Sequence, residues 1–340
     1  MDAGTALRLL NQREFGLLPL LQAAFEVRQA HCGLGVKIHI LNNAKNGNCP
    51  EDCHYCAQGQ KADPAAIQDY PMKSDEEILA EAERAYASGA YRYCMVFAGR
   101  GPSDRRVDHL ADLIKEIKHR YPLRVCVSPG LLKEGQAERL KAAGLDRLNH
   151  NLNTTESNYA EICSTHTFGD RLQTLQYAQN AGLEICSGVI LGMGEGPSGV
   201  IQVFEKLADL KAQSVPVNFL VPMPNTLMGQ PEKLTAEYCL RVLCVARFIL
   251  PKAEIRAAGG REYHLRSMQS LALFPANSIF MDGYLNVVGS QQRDTLQMIL
   301  DAGFHIECDE GLDVEGLLKG NPAQTTMKTN EDLRPAKACH

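Results

Sequence analysis

Short apolar runs recur along most of the chain, separated by longer segments whose apolar residues lie three or four positions apart. The short runs are typical of buried strands, and the longer spacing is typical of amphipathic helices. The strand pattern occurs over residues 35–44, 91–99, 123–130, 145–153, 183–192, 215–223, 253–260 and 278–283. Strands that alternate with single helices form parallel sheets with right-handed crossovers, and eight such units can close on themselves. We therefore predict an α/β fold, a (β/α)8 barrel of the TIM type, with an open doubly wound sheet as the alternative.

Sequence signals also mark helix ends and the limits of the barrel. Ser74 and Glu77 have the spacing of a capping box at the start of a helix. Residues 1–33 precede the alternating pattern and predict an N-terminal helical extension of one or two helices outside the barrel. Residues 316–340 are polar with little periodicity, which is typical of a disordered tail. The barrel itself is expected to span residues 34–315.

Composition narrows the class of protein. The 340 residues are 45% hydrophobic and 22% charged, with a net charge of -5, which is ordinary for a globular protein. Basic residues do not cluster, no apolar run could span a bilayer, and the N-terminus resembles neither a signal peptide nor a transit peptide. We expect a cytoplasmic protein whose thiols stay reduced. Its 12 cysteines then point to metal binding, catalysis or packing rather than disulfides.

The stretch NCPEDCHYC follows the first predicted strand and contains Cys49, Cys53 and Cys56 in a C-x3-C-x2-C pattern. This loop is expected on the face where barrels carry their active sites. Structural zinc needs four protein ligands, often as two C-x2-C pairs, and no second pair is nearby. A 4Fe–4S cluster held by only three cysteines keeps one iron open for a ligand. The amine and carboxylate of S-adenosylmethionine suit such an iron, so the motif predicts a radical-generating cluster, with zinc as the alternative.

These residues resemble those of the radical S-adenosylmethionine superfamily and, within it, the biotin synthase family. The resemblance extends over about residues 35–305, and GNCPEDCHYC is close to the family pattern G-x-C-P-E-D-C-x-Y-C. That longer string is far more specific than the cysteine spacing alone. The resemblance implies sulfur insertion, in which a 5′-deoxyadenosyl radical removes hydrogen from dethiobiotin. Sulfur from a sacrificed auxiliary cluster then closes the ring of biotin.

The resemblance also implies that three cysteines and one arginine on separate strands hold this auxiliary cluster. The matching residues are Cys94, Cys126, Cys186 and Arg256, of which the last three are assigned to sulfur transfer. One cysteine alone in a strand is more often a packing residue. A guanidinium inside a barrel, however, is costly unless it meets negative charge, which a thiolate-ligated cluster supplies. The other cysteines are expected in the core or on the surface: Cys32, Cys163, Cys239, Cys244, Cys308 and Cys339.

The fourth predicted strand contains three asparagines in the stretch LNHNLN. Asn149, Asn151 and Asn153 alternate, so all three are expected to face the barrel interior, where a buried amide needs partners. By resemblance, Asn151 contacts both cosubstrate and substrate, and Asn153 holds the ribose of the cosubstrate. The resemblance assigns three more residues to ligands: Arg171 and Tyr55 to the cosubstrate, and Asn218 to the ureido group of the substrate.

Three departures from the family pattern indicate a divergent branch. Asn153 stands where the family has aspartate, and an amide donates as well as accepts and carries no charge. The stretch MVFAGRGP after Cys94 lacks the usual tryptophan, and VCVSPG differs from the usual VCATLG-like wording. Because these changes flank the auxiliary set, the composition of the expected 2Fe–2S cluster stays open.

The sequence therefore predicts a radical sulfurtransferase that binds a 4Fe–4S cluster, S-adenosylmethionine and an auxiliary iron–sulfur cluster. The expected partners are dethiobiotin, flavodoxin or ferredoxin as electron donor, cluster-assembly proteins, and a second copy in a homodimer. No nucleic acid or membrane partner is expected. One alternative is a related radical enzyme with another small-molecule substrate. The other is an iron–sulfur electron carrier, which would need exposed clusters and no inward asparagines.

Overall fold

Strands and helices alternate through the chain in the computed structural model, which describes residues 1–11, 15–63, 65, 67–223, 226–228, 234–308 and 313–318. The strands are β1 Gly35–Lys45, β2 Arg92–Phe97, β3 Arg124–Ser128, β4 Arg147–Asn149, β5 Glu184–Cys186, β6 Val189–Leu191, β7 Ser214–Phe219, β8 Glu254–Ala257, β9 Ser278–Met281 and β10 His305–Glu307. The α-helices are α1 Ala3–Asn11, α2 Leu17–Cys32, α3 Asp75–Ala87, α4 Asp104–Arg120, α5 Gln136–Ala142, α6 Glu156–Ile162, α7 Phe168–Asn180, α8 Gly196–Asp209, α9 Ala236–Ile249, α10 Arg261–Leu265, α11 Gln292–Asp301 and α12 Val314–Leu318. A 3-10 helix, Arg266–Leu273, lies between α10 and β9.

The last described residues overlap the start of the tail that the sequence predicts over residues 316–340. Helix α12 crosses the boundary predicted at residue 316. Residues 319–340, which include Cys339, lie outside the described residues, so the disorder of the tail stays a prediction.

Eight strand positions close into a barrel of parallel strands. Hydrogen bonds join β1, β2, β3, β4, β5, β7, β8 and β9 in that order, and β9 pairs back with β1. β6 follows shortly after β5 and pairs with the same neighbour, β7, so the two strands occupy one position. β10 adds to the first residues of β1 outside this ring. The predicted (β/α)8 barrel is confirmed, and the open doubly wound sheet is excluded.

Helices follow the strand positions around the ring, and local side chains fix where several of them begin. The Ser74 hydroxyl accepts from the Glu77 N–H at 3.3 Å, while the Glu77 carboxylate accepts from the Ser74 N–H at 2.8 Å. The predicted capping box is therefore present at the start of α3. Four more helices begin after a hydroxyl side chain that accepts from their first turn: Ser103, Thr155, Thr167 and Thr235. Within the described ranges, no helix is both long enough and apolar enough to cross a bilayer.

The strands place apolar side chains outside the ring and most of their buried polar side chains inside it. On β2, Tyr93 and Met95 are fully buried in the main apolar core, whereas Arg92 and Cys94 line an interior cavity. This is the strand alternation of period two. The interior of most such barrels is filled with branched apolar side chains. The polar interior here encloses a cavity instead.

The break between β5 and β6 follows from a close approach of Gly188 to β7. A Cβ atom on Gly188 would lie 1.9 Å from the carbonyl oxygen of Pro216, so no other residue fits. The Gly188 N–H donates to Asn151 Oδ1 at 3.1 Å, and the Gly188 carbonyl accepts from the Asn153 N–H at 2.9 Å. The single strand predicted over residues 183–192 is therefore two strands, and the break anchors the asparagine segment.

The N-terminal extension contains α1 and α2, which pack on α8 and α9. Arg28 of α2 is fully buried, and its guanidinium lies 4.5 Å from the centre of the Phe304 ring. Its three nitrogens donate to the carbonyl oxygens of Ala276 at 3.1 Å, Gly33 at 2.6 Å and Gly35 at 2.9 Å. Arg28 thus joins the extension to the first residues of β1 and to the segment before β9.

We predict that Arg28→Lys lowers the free energy of unfolding by about 2–4 kcal/mol, because a single ammonium cannot satisfy three buried carbonyls from one plane. The measurement is urea unfolding of the cluster-free protein, followed by circular dichroism. Arg84→Lys is the control, since the Arg84 side chain is 70% exposed. The control should change stability by about 0.5 kcal/mol or less. Equal losses in the two variants would contradict the role given to Arg28.

Candidate active site

A cavity of about 190 Å³ inside the barrel brings together most of the residues predicted from the sequence. The predicted residues that line it are Tyr55, Cys94, Cys126, Asn151, Asn153, Arg171, Cys186 and Arg256. Cys56 and Asn218 line an adjoining cavity of about 160 Å³, and Tyr55 lies in the walls of both. The two cavities therefore connect the loop after β1 with the barrel interior.

The three motif cysteines lie in the loop between β1 and α3, and backbone hydrogen bonds hold this loop in shape. The Cys49 N–H donates to the Gln58 carbonyl at 3.1 Å, and the Cys56 N–H donates to the Cys53 carbonyl at 3.0 Å. All three cysteines are half-buried. The loop thus presents three thiols at the carboxyl ends of the strands, on the face where the sequence predicts the active site.

The placement of these thiols fits a cluster better than a single ion. Among the described residues, one set of three has its donor atoms within 4.8 Å of one another, namely Cys53, Cys163 and His166. Cys49, Cys53 and Cys56 do not form such a set. Ligands of one tetrahedral ion lie roughly 4 Å apart or less, given bonds of about 2.3 Å. A 4Fe–4S cluster binds each cysteine to a different iron and accepts wider spacing, so the zinc alternative loses support.

Asp52, inside the motif, ties the cysteine loop to the segment between α6 and α7. Its carboxylate accepts from the Ser164 N–H at 2.8 Å, from the Ser164 hydroxyl at 2.5 Å and from the Lys61 ammonium at 2.8 Å. Burial opposes its ionisation, but the hydrogen bonds from Lys61 and Ser164 hold the pKa of Asp52 well below its ordinary value. Asp52 is therefore a carboxylate at neutral pH and a fixed anchor for the loop.

A second contact runs from the cysteine loop to the cosubstrate residues. Glu51 contacts His166 Nδ1, and His166 Nε2 accepts from Arg171 Nη2 at 2.9 Å. Cys163 was expected in the core or on the surface, and it is buried. Its thiol, however, lies 3.8 Å from the thiol of Cys53, which belongs to the cysteine motif. The sequence analysis missed this neighbourhood. The available signal was the C-x2-H spacing of Cys163 and His166 just before α7.

The structure brings the four residues of the predicted auxiliary set together. Cys94 and Cys126 are register partners on neighbouring strands, and both line the cavity. The Cys186 thiol accepts from Asn149 Nδ2 at 3.2 Å and lies 3.7 Å from Arg256 Nη1. All three cysteines and Arg256 are buried. Four residues predicted on separate strands therefore surround one point of the interior.

A buried carboxylate lies beneath this set, toward the amino ends of the strands. Glu254 Oε1 accepts from Arg147 Nη1 at 3.1 Å, lies 2.9 Å from His39 Nε2 and also contacts Arg256. Burial alone would raise the pKa of Glu254, but Arg147, His39 and Arg256 hold it well below its ordinary value. The sequence analysis missed Glu254 and His39. The available signal was the alternation of side chains along a strand, because Glu254 and His39 each lie on the same strand face as a residue of the cavity wall.

The ionic groups of the interior leave an excess of positive charge, because three buried arginines pair with only two carboxylates. Arg92, Arg147 and Arg256 are buried and face one buried glutamate, Glu254, together with the half-exposed Glu184. Within the described residues, Arg92 Nε, Arg92 Nη1 and Arg256 Nε have no hydrogen-bond partner. An unpaired buried cation is strongly unfavourable. The residues present therefore fit an anionic group between the three cysteines, as a thiolate-bound iron–sulfur cluster would be.

The three asparagines all line the cavity, as predicted, but only Asn149 belongs to β4. The strand predicted to continue to residue 153 ends at Asn149, and beyond it the chain returns to the sheet at a single bridge between Asn153 and Val189. Asn153 has a left-handed backbone with φ of 71°, which asparagine tolerates better than most residues. Its amide donates to the Tyr55 hydroxyl at 2.5 Å. A bent segment, rather than a continuous strand, turns these amides inward.

Arg171 and Asn218 are both buried at the cavity walls. Arg171 donates to the Asn151 carbonyl at 2.8 Å and contacts the Tyr159 hydroxyl. Asn218 donates to the Val189 carbonyl at 3.1 Å and accepts from the Gly259 N–H at 3.1 Å. Each side chain is held in place and keeps spare N–H groups for a ligand, because a guanidinium has five and an amide has two.

Sequence profiles of known families match almost the whole barrel. The radical SAM superfamily matches residues 45–207, and the Biotin and Thiamin Synthesis associated domain matches residues 216–305. Fold, cysteine loop and profile together define a radical S-adenosylmethionine enzyme. Membership of this superfamily implies a 4Fe–4S cluster and S-adenosylmethionine as cofactors.

Individual relatives identify the family more narrowly. Biotin synthase of Magnetococcus marinus is 56% identical over 90% of this chain and 95% of its own, and that of Acaryochloris marina is 49% identical over 91% and 89%. Biotin synthase of Renibacterium salmoninarum is 47% identical over 96% of both chains. The chain belongs to the biotin synthase family.

Solved structures support the fold independently. Methylornithine synthase superposes with a TM-score of 0.79 at 19% identity, covering 90% of this chain and 94% of its own. The FeFe-hydrogenase maturase HydG from Carboxydothermus hydrogenoformans superposes with a TM-score of 0.79 at 20% identity, covering 92% and 77%. At such low identity these likenesses concern the fold alone.

We predict that Asp52→Asn lowers the free energy of unfolding of the cluster-free protein by about 2–3 kcal/mol at neutral pH, because the amide cannot accept from all of the donors that surround it. The pKa of Asp52 is lower in the folded protein than its ordinary 3.8. Its contribution is therefore complete above about pH 5 and is lost as the pH falls below about 4.

Urea unfolding of wild type and variant between about pH 3 and pH 7 measures this difference. Asp112→Asn, at a side chain that is 76% exposed, is the control and should show no such loss. A stability difference that stays the same down to the lowest pH would contradict the ionised anchor.

Proposed function

We propose that this protein inserts sulfur into dethiobiotin to form biotin, using S-adenosylmethionine and a sacrificial auxiliary iron–sulfur cluster. One observation carries the proposal: a single cavity is lined both by Cys94, Cys126 and Cys186 and by the residues assigned to the cosubstrate. The family to which the chain belongs supports the same reaction. Substrate, cosubstrate and sulfur source would then meet inside one barrel.

Cys49, Cys53 and Cys56 would hold the radical-generating cluster, with one iron left open for the cosubstrate. When bound, this cluster supplies the electron that cleaves S-adenosylmethionine into methionine and a 5′-deoxyadenosyl radical. Asp52 and Glu51 keep the cysteine loop fixed against the segment before α7. That anchoring supports a constant distance between the loop and the cavity.

Four residues are proposed to bind the cosubstrate, namely Asn151, Asn153, Arg171 and Tyr55. Arg171 presents its remaining N–H groups to the methionine carboxylate, a geometry that suits a planar guanidinium. Asn153 would hold the ribose hydroxyls and is oriented by its hydrogen bond to Tyr55. Binding in a closed cavity keeps water away from a reactive primary radical.

Cys94, Cys126, Cys186 and Arg256 are proposed to surround the auxiliary cluster, expected as 2Fe–2S, which supplies the sulfur when bound. Cys126 and Cys186 bind it as thiolates, and Arg256 places positive charge beside Cys186. Burial of this set supports a donor inside the barrel rather than an electron carrier, which would expose its clusters.

The substrate is proposed to lie between the two clusters, with Asn218 and Asn151 at its ureido group. Asn218 is fixed by its contacts to β6 and to Gly259, so one N–H and one lone pair remain for the ligand. A ureido group offers the matching carbonyl and N–H. The alternative, a related radical enzyme with another small-molecule substrate, is not favoured, because the curated relatives are biotin synthases.

The wider setting of the reaction is also part of the proposal. An electron donor such as flavodoxin or ferredoxin would reduce the radical cluster, and cluster-assembly proteins would rebuild the sacrificed one. We propose a cytoplasmic homodimer with no nucleic acid or membrane partner, as expected from the sequence.

We predict that the two thiol sets can be separated by mutation. Cys53→Ala should abolish 5′-deoxyadenosine formation, because that thiol anchors the radical cluster. Cys186→Ala should keep measurable 5′-deoxyadenosine formation and lose biotin, because only the sulfur source is damaged. Both products are measured by mass spectrometry after anaerobic incubation with S-adenosylmethionine, reductant and dethiobiotin.

Cys244→Ala is the control for both variants, because Cys244 is as buried as Cys186 but lies in α9, away from the cavity. It should retain both products. Normal cosubstrate cleavage in Cys53→Ala would refute the radical cluster, and biotin formation in Cys186→Ala would refute the sulfur-donor role.

We predict that Asn153→Asp does not tighten S-adenosylmethionine binding and weakens it instead. A carboxylate at the ribose would gain roughly 1–2 kcal/mol from charge-assisted hydrogen bonds if the site were built for it. Here the amide donates to the Tyr55 hydroxyl and the side chain is buried. A carboxylate would bring a buried charge and would keep this contact only if the Tyr55 hydroxyl turned to donate to it. The anaerobic dissociation constant of S-adenosylmethionine is the measurement. A clearly lower constant in the variant would contradict a site rebuilt around the amide.

A further inference from the structure

Cys163 is a buried cysteine beside the radical-cluster motif that neither the motif nor the resemblance assigns to a role. It lies directly after α6. Its thiol is 3.8 Å from the thiol of Cys53, which is half-buried. Two sulfurs at this separation need to approach by less than about 2 Å to form a disulfide, whose S–S bond is about 2.05 Å long. The pair is therefore placed to bond whenever Cys53 is not bound to iron.

The backbone around the two cysteines also suits a disulfide. The His54 N–H donates to the Ile162 carbonyl at 2.9 Å. On the other side, the Ser164 N–H donates to the Asp52 carboxylate at 2.8 Å. Each contact joins the residue after one cysteine to the residue before the other, so the two cysteines lie opposite each other on antiparallel segments. Opposite residues of antiparallel strands have Cα atoms roughly 4.5–5.5 Å apart, within the range of about 4.4–6.8 Å that disulfides span.

A metal ion is the competing occupant of this neighbourhood, because a ring nitrogen of His166 lies close to both thiols. His166 Nε2 accepts from Arg171 Nη2 at 2.9 Å, so the ring proton is on Nδ1, which contacts Glu51. Both ring nitrogens are then engaged, and neither keeps a lone pair for a metal. The contacts of His166 therefore favour a reaction between the two sulfurs over a metal site.

We propose that Cys53 and Cys163 form a reversible disulfide after hydrogen peroxide has removed the radical cluster. Peroxide reaches the half-buried Cys53 first, and its sulfur gains an oxygen as the O–O bond breaks, which gives a sulfenic acid and one water. The Cys163 sulfur then attacks the Cys53 sulfur, the S–O bond breaks, and a second water leaves with the thiol proton. Two thiols are thus oxidised by two electrons, and one peroxide is reduced to two waters.

This disulfide preserves Cys53 for renewed cluster assembly. A sulfenic acid without a thiol partner is oxidised further to sulfinic acid, which thiol reductants do not reverse. A disulfide is reversed by thiol exchange, and disulfides of reducing compartments are usually transient ones of this kind. The proposal rests on the proposed function in one respect, since it takes Cys53 as a ligand of the radical cluster.

Treatment of the holoenzyme with hydrogen peroxide tests the proposal. In one portion, free thiols are alkylated, the protein is digested without reductant, and mass spectrometry identifies the linked peptides. A second portion is treated with dithiothreitol and reconstituted anaerobically with iron and sulfide, and electron paramagnetic resonance of the reduced protein measures its 4Fe–4S cluster. Cys163→Ala removes the partner thiol. Cys239→Ala, at a fully buried cysteine of α9, is the matched control.

We expect a linked peptide pair containing Cys53 and Cys163 in treated wild type and in treated Cys239→Ala, and none in untreated protein. After dithiothreitol, both proteins should recover most of their 4Fe–4S cluster. Cys163→Ala should recover several-fold less and carry sulfinic acid at Cys53. All three proteins should bind the cluster equally before treatment, because Cys163 is not one of its ligands.

Treated wild type in which Cys53 is linked to Cys49 or Cys56, or is found only as sulfinic acid, would overturn the proposal. Equal recovery of the cluster by wild type and Cys163→Ala would overturn it as well. If Cys163→Ala does not fold, the peptide map of wild type alone decides. These outcomes leave the proposed function standing, because they concern only the oxidised protein. Untreated wild type that never binds a 4Fe–4S cluster overturns the proposed function and the protective disulfide together.

Discussion

The barrel interior depends on buried positive charge that the chain does not neutralise by itself. Arg147 and Arg256 share one buried carboxylate, Glu254, whereas Arg92 pairs with the half-exposed Glu184. Three guanidinium nitrogens of Arg92 and Arg256 have no hydrogen-bond partner among the described residues. A buried polar group without a hydrogen-bond partner costs about 1–3 kcal/mol, and more where the group is charged. The apolar outer faces of the strands offset this cost and keep the barrel closed. An anionic cluster between the cysteines would remove this cost. Binding of the cluster and stability of the fold are therefore coupled through charge.

This charge lies at one end of an ordered series of groups along the barrel axis. Glu254 lies nearest the amino ends of the strands, the three buried thiols follow, and the asparagine segment begins at Asn149, whose amide contacts Cys186. The cysteine loop completes the series at the carboxyl ends and is linked to Arg171 through Glu51 and His166. Such a series brings reacting groups into line without large movements. The same walls exclude water from them.

Much of this arrangement could be predicted from the local sequence, because the spacing of apolar residues in strands and helices indicates which side chains face inward. The eight strands, the capping box at Ser74 and the inward positions of Cys94 and Arg256 were predictable on that basis. The anchoring of Asp52 by Ser164 was not, because it joins residues more than a hundred positions apart through a loop contact. The break at Gly188 was also missed, since it results from the approach of a neighbouring strand. Periodicity carries no information about such contacts.

The central claim is that sulfur bound inside this barrel becomes the sulfur of the product. The most direct test is to assemble both clusters from heavy-isotope sulfide, remove free sulfide, and run one anaerobic turnover with dethiobiotin, S-adenosylmethionine and reductant. Mass spectrometry of the product then reports where its sulfur came from. The account predicts biotin that carries the heavy sulfur in an amount no greater than that of the auxiliary cluster. Biotin with light sulfur, or cosubstrate cleavage without biotin, would contradict it.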